Sequence, residues 1–134
     1  MILANGTIVA VVDGKNLKLF HNKGTETQLD LAPMADPTID ASNAGSGGRH
    51  QSSSANPDSH RGDEDAFAAA SAEHLNQMAL KNKLEHVFII ADPRTLGEMR
   101  KHYHANLKGK IVGDLAKDLT GHSVDDIAAA VQKA

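Results

Sequence analysis

Two aspartates stand at the ends of the two most apolar runs in the chain. Asp13 closes Ile8-Val9-Ala10-Val11-Val12, and Asp92 closes Val87-Phe88-Ile89-Ile90-Ala91. Hydrolysis of a phosphodiester uses carboxylates that hold two Mg2+ ions about 4 Å apart, activating water and stabilising the leaving oxygen. Asp13 and Asp92, with Glu64 or Glu73 on an intervening helix, would form such a set if the fold brought them together. Each also has a commoner use: Asp13-Gly14 as a turn, Asp92-Pro93 as a helix cap, Glu64 as the complement of a helix dipole. A divalent-metal-dependent nuclease is therefore an alternative function, and a binding role without catalysis is the leading one.

A second constellation is basic. Between Arg94 and Lys117 lie Arg94, Arg100, Lys101, Lys108, Lys110 and Lys117 against Glu98 and Asp114, a local +4 in a chain of net charge -3. Arginine forks and a helix N-terminus at Pro93 suit phosphate groups, so Arg94, Arg100 and Lys101 are the expected binding residues. An ordinary solvated helix face would look the same. Eight histidines invite a metal reading, but His102 and His104, placed on a helix, lie about 200° apart and cannot share an ion. His74 and Met78 fall on a core-side stripe. No glycine-rich phosphate motif follows a strand, and no spacing marks an activated nucleophile. The sequence calls for no metal and no cofactor.

The elements that must position these residues follow from periodicity. The two apolar runs lack polar alternation and read as strands covered on both faces, hence central. Asp13-Gly14 turns the first into a hairpin, and alternating Leu17 and Leu19, then Thr25, Thr27, Leu29 and Leu31, predict two half-covered strands. From Pro33 to Gly62 the pattern is lost in a run rich in Ser, Gly, Asn and Ala, read as a long flexible loop at about 33–62. Phe67, Ala68, Leu75, Met78 and Ala79 predict a helix over about 64–81, with Asp63-Glu64-Asp65 at its start. Asp92-Pro93 opens another helix carrying Leu96, Met99 and Tyr103. Ile111, Val112 and Leu115 fit a last strand or a short helix, and Ser123-Val124-Asp125-Asp126 caps a terminal amphipathic helix.

This is a three-strand meander, then helix-strand-helix-strand-helix: an α/β protein of ribonuclease H-like order, with residues 1–134 as a single domain. The 40% hydrophobic and 23% charged residues suit a globular chain, and 3% aromatics leave few rings for stacking bases. There is no cysteine, hence no disulfide or thiolate chemistry. The stretch from Met1 to Gly6 lacks a basic then apolar leader, and no run approaches the roughly 18 apolar residues of a membrane span. A soluble, cytoplasmic chain without membrane insertion is expected.

Several stretches taken together resemble the host attachment protein family, bacterial proteins described as required for attachment to host cells. They are Asn5-Gly6-Thr7 before Val9-Ala10-Val11-Val12-Asp13-Gly14, Phe67-Ala68, Val87 to Pro93 followed by Leu96-Gly97-Glu98-Met99-Arg100, and Lys117-Asp118-Leu119-Thr120. The same order is more remotely similar to the middle domain of archaeal and eukaryotic release factors, where a Gly-Gly-Gln loop precedes the long helix. Gly47-Gly48-Arg49-His50-Gln51 lies at the corresponding place, with two residues between the glycines and Gln51. The resemblances imply a binding module that acts on attachment indirectly, through RNA, tRNA or the ribosome, with Gly47, Gly48 and Gln51 in a loop that orders on its partner. A protein-interaction module with no nucleic-acid partner is the remaining alternative.

Overall fold

The computed structural model describes residues 2–39 and 59–134, with side chains in the second stretch from Gly62 onward. Among the described residues the chain is mixed α/β. Its elements are β1 (Ile8–Val12), β2 (Leu17–Asn22), β3 (Leu31–Pro33), α1 (Ser59–Leu80), β4 (Val87–Ala91), α2 (Pro93–Arg100), α3 (Ala105–Lys108), β5 (Ile111–Ala116) and α4 (Val124–Lys133). The strands form one sheet in the order β3-β2-β1-β4-β5. β1 pairs antiparallel with β2 and parallel with β4, and β4 pairs parallel with β5.

Every residue of β1 and of β4 is buried, as expected for strands with helices on both sides. Successive side chains point to opposite faces. Ile8, Ala10 and Val12 of β1, with Val87, Ile89 and Ala91 of β4, meet Ala68, Ala72, Leu75 and Met78 of α1, Leu96 and Met99 of α2, and Leu107 of α3. Val9, Val11, Phe88 and Ile90 meet Phe20, Leu119 and, from α4, Ile127 and Val131. Burying a side chain such as Ile127 stabilises the fold by about 2 kcal/mol.

Local chemistry sets the element ends. Asp92 caps α2, accepting from the Thr95 N-H at 3.1 Å with Pro93 next in line. Ser123 caps α4, accepting from the Asp126 N-H at 3.2 Å. α1 ends where Asn82 takes a left-handed φ of 59°. The Lys83 N-H then reaches Met78 O at 2.8 Å and the Asn82 N-H reaches Ala79 O at 3.2 Å, satisfying carbonyls of the last turn.

Three expectations about the elements change. The residues from Thr25 to Asp30 are a turn and β3 begins only at Leu31, because the buried Asn22 side chain organises that turn. Its Oδ1 accepts from the N-H groups of Gly24 and Asp30, and its Nδ2 donates to Leu3 O at 3.1 Å. α1 begins at Ser59, five residues before the predicted start, so Asp63 to Asp65 sit beyond its first turn. The segment after Pro33 is not all detached, since Met34 and Ile39 pack against the core. The last strand of the expected order is present at Ile111–Ala116.

Candidate functional site

Because β1, β4 and β5 run parallel, their C-terminal ends share one edge of the sheet, the side where open α/β sheets form their ligand crevices. Asp13 follows β1, Asp92 follows β4 and Asp118 lies two residues beyond β5. An open cleft of about 410 Å³ is lined there by Asp13, Gly14, Lys15, Glu64, Asp92, Thr95 and Asp118. The fold thus brings together Asp13, Asp92 and Glu64. Glu73 sits elsewhere, held by Asn76 at 3.2 Å, Gln77 at 3.1 Å and His104 at 3.6 Å.

Each aspartate already has structural partners. The Oδ1 atom of Asp13 accepts from the N-H groups of Lys15 at 2.7 Å and Asn16 at 2.6 Å. Thr120 Oγ1 donates to Asp13 Oδ2 at 2.7 Å and also lies 2.9 Å from Asp118 Oδ1, so one hydroxyl proton stands between two carboxylates. Partial burial resists the charge on Asp13, but the hydrogen bonds from Lys15, Thr120 and Asn16 outweigh it and hold the carboxyl below its ordinary pKa. Asp92 is engaged in the α2 cap. Among the described residues no three His, Asp or Glu form a group that could hold a metal ion.

Gly14 fits against Glu64, since a Cβ added there would come within 2.7 Å of Glu64 Cγ. The turn does not use a positive φ at Gly14; among the described residues Gly6 is the glycine that has one. The hairpin expected at Asp13-Gly14 is present, with its glycine against the Glu64 side chain of α1.

The three cations singled out from the sequence are all ion-paired on the exposed surface. Arg94 meets Asp65 of α1 at 3.0 Å, Arg100 meets Asp114 of β5 at 2.9 Å, and Lys101 meets Glu98 at 3.1 Å. Such exposed pairs contribute less than about 1 kcal/mol each, and a phosphate can replace the carboxylate at little cost. Gly47, Gly48 and Gln51 lie outside the described residues.

His102 and His104 are not on a helix, contrary to expectation. His102 sits in the turn after α2 with Nε2 3.3 Å from Glu98, and His104 precedes α3 with Nε2 3.6 Å from Glu73. The rings face different carboxylates. The buried Asn76 fixes this turn, donating to His102 O and accepting from the His104 N-H, both at 2.9 Å. Burial, and after it the Lys81 charge, lowers the pKa of the half-buried His74, while Met78 packs in the core.

The family model of bacterial archaeo-eukaryotic release factor family 12 matches residues 6–131. An uncharacterized protein, RP470, of Rickettsia prowazekii (strain Madrid E) is 36% identical over 61 residues, 44% of this chain and 41% of that relative. The similarity therefore spans about two fifths of the relative's length.

Proposed function

The chain belongs to bacterial archaeo-eukaryotic release factor family 12, and from that premise we propose that it is a non-catalytic binding module that engages RNA of the translation machinery, tRNA or the ribosome. The observation that carries this reading is the match over residues 6–131, which takes in both the sheet and the segment ahead of α1. In this reading residues 1–134 act as one domain in the cytoplasm. The sheet order and the meander before two parallel strands support a ribonuclease H-like fold. Arg94, Arg100 and Lys101 exchange their carboxylate partners for phosphates, and Gly47, Gly48 and Gln51, which precede α1 in sequence, contact the partner from the loop. Attachment to host cells, the role implied by the other family resemblance, is then an indirect consequence of acting on translation.

The test is co-sedimentation of the full chain with purified ribosomes, with and without added tRNA, over a salt series. Recovery with ribosomes at low salt and release as salt rises is expected. A chain that stays in the supernatant under every condition contradicts the reading.

One observation favours a second function, a divalent-metal-dependent nuclease: Asp13, Glu64 and Asp92 line one cleft. Mg2+-dependent cleavage of RNA that is lost in Asp13→Asn would support it, and equal cleavage by the variant and the original chain would remove it. A protein-interaction module without a nucleic-acid partner predicts co-purifying protein and no salt-sensitive RNA.

A further inference from the structure

At the opposite end of the sheet, beside a turn that carries the exposed Glu26 and Asp30, the connections that enter β4 and β5 are basic. Residues 81–86, which enter β4, and 108–110, the end of α3 and its link to β5, contain Lys81, Lys83, Lys108 and Lys110 with Glu85 as their one acidic residue. The fold sets these connections side by side. The Val87 N-H donates to Lys110 O at 2.9 Å, and Leu84 and Leu107 lie in one core cluster. Lys81, Lys83 and Lys108 are exposed and Lys110 is half-exposed. Among the described residues none of the four makes an ion pair, in contrast to Arg94, Arg100 and Lys101.

Lysines at the ends of α1 and α3 complement the negative ends of the helix dipoles, but that accounts for Lys81 and Lys108 and leaves Lys83 and Lys110. The left-handed Asn82, locked by the two hydrogen bonds that close α1, fixes the backbone from which Lys81 and Lys83 project. We propose that these four lysines form a platform for the phosphate backbone of RNA. It faces away from the acidic cleft, so a polyanion is attracted at one edge of the sheet and repelled at the other. Nucleic acid suits it better than a lipid surface, because the exposed large apolar side chains among the described residues are single ones far apart in sequence, Ile2, Leu80 and Val112.

This inference rests on the RNA-binding reading and adds a surface to it. The test is binding of fluorescently labelled, deacylated tRNA to the full chain over a salt series, with anionic phosphatidylserine vesicles in parallel. The variants are the quadruple Lys81→Gln, Lys83→Gln, Lys108→Gln, Lys110→Gln, its Lys→Arg counterpart, and the triple Arg94→Ala, Arg100→Ala, Lys101→Ala. Thermal unfolding checks each fold, and double variants of either connection serve if the quadruple is unstable. We expect the Gln quadruple to bind tRNA roughly a hundredfold more weakly near 0.1 M salt, with a salt slope smaller by about 3. The Arg quadruple should bind like the original chain. If the original chain binds tRNA and the Gln quadruple binds as tightly with the same slope, the platform is wrong while the RNA reading stands. If the original chain binds no tRNA, or only vesicles, the platform is wrong, and the RNA reading falls with it when the chain also fails to sediment with ribosomes.

Discussion

The two edges of the sheet differ in how their charges are held. At the C-terminal edge, Asp13, Asp92 and Asp118 accept hydrogen bonds from turn backbone, a helix cap and Thr120, so the charge there is locked into the architecture. At the N-terminal edge, Lys81, Lys83, Lys108 and Lys110 make no ion pair among the described residues. Charge that is already satisfied stabilises a fold, whereas charge left unpaired against solvent is available to a partner. The acidic cleft has the more conspicuous shape, and the lysines of the basic edge are the charges without an ion-pair partner among the described residues.

The widest separation between the edges should appear in RNA affinity. The two ends are at least about 15 Å apart along β4, beyond the Debye length of about 8 Å at physiological salt. Replacing Asp13 and Asp118 together with Asn should therefore change tRNA affinity by no more than about twofold, against the roughly hundredfold loss expected for the Gln quadruple. Equal and opposite responses would mean that net charge alone governs binding, and the distinction between the edges would disappear.

Stability should respond in the reverse sense. Thr120→Val removes the donor shared by Asp13 and Asp118 and should cost about 1–3 kcal/mol at neutral pH, read by denaturant unfolding. The hydrogen bonds hold the folded Asp13 pKa below its reference value of 3.8. Its contribution is thus present above that value and is lost as pH falls through the lower, folded value. Without Thr120 the folded pKa rises toward the reference value, so the loss on acidification should be smaller and complete at higher pH; an unchanged acid profile would show that the hydroxyl does not support Asp13.

At the basic edge, Asn82→Ala should destabilise by about 1 kcal/mol because alanine resists the left-handed φ, while Asn82→Gly should be tolerated. Equal stability of the two variants would show that this backbone conformation does not constrain the platform. The smallest effect should come from Gly14→Ala at the acidic edge. The added methyl displaces only the flexible Glu64 side chain, so a change in melting free energy below about 1 kcal/mol is expected, and a larger loss would mean that α1 itself is forced away.

Much of this fold could be read from local pattern. The unbroken apolar runs gave β1 and β4, and Asp92-Pro93 and Ser123 to Asp126 gave two helix starts, because each signal lies within a few residues of what it specifies. The turn replacing the expected strand at Thr25 to Asp30 could not be read this way, since the buried amide of Asn22 decides it and nothing local marks that side chain as buried. The site shows the same limit. Convergence of Asp13, Asp92 and Glu64 was foreseeable from the element order, and the release-factor likeness agrees with the family found. The Thr120 bond to Asp13 spans 107 residues, and the ion pairs of Arg94 and Arg100 span 29 and 14. No periodicity carries such information, and a basic stretch in sequence therefore did not distinguish paired cations from unpaired ones.

The most direct measurement is a crosslinking pull-down from cells in which RNA and protein are read out together. It should compare the original chain with the Gln quadruple and with the Arg94, Arg100 and Lys101 triple. Enrichment of tRNA or ribosomes by the original chain, reduced by the triple and abolished by the quadruple, is the expected result. Recovery of proteins alone, equally by all three, would contradict an RNA-binding role.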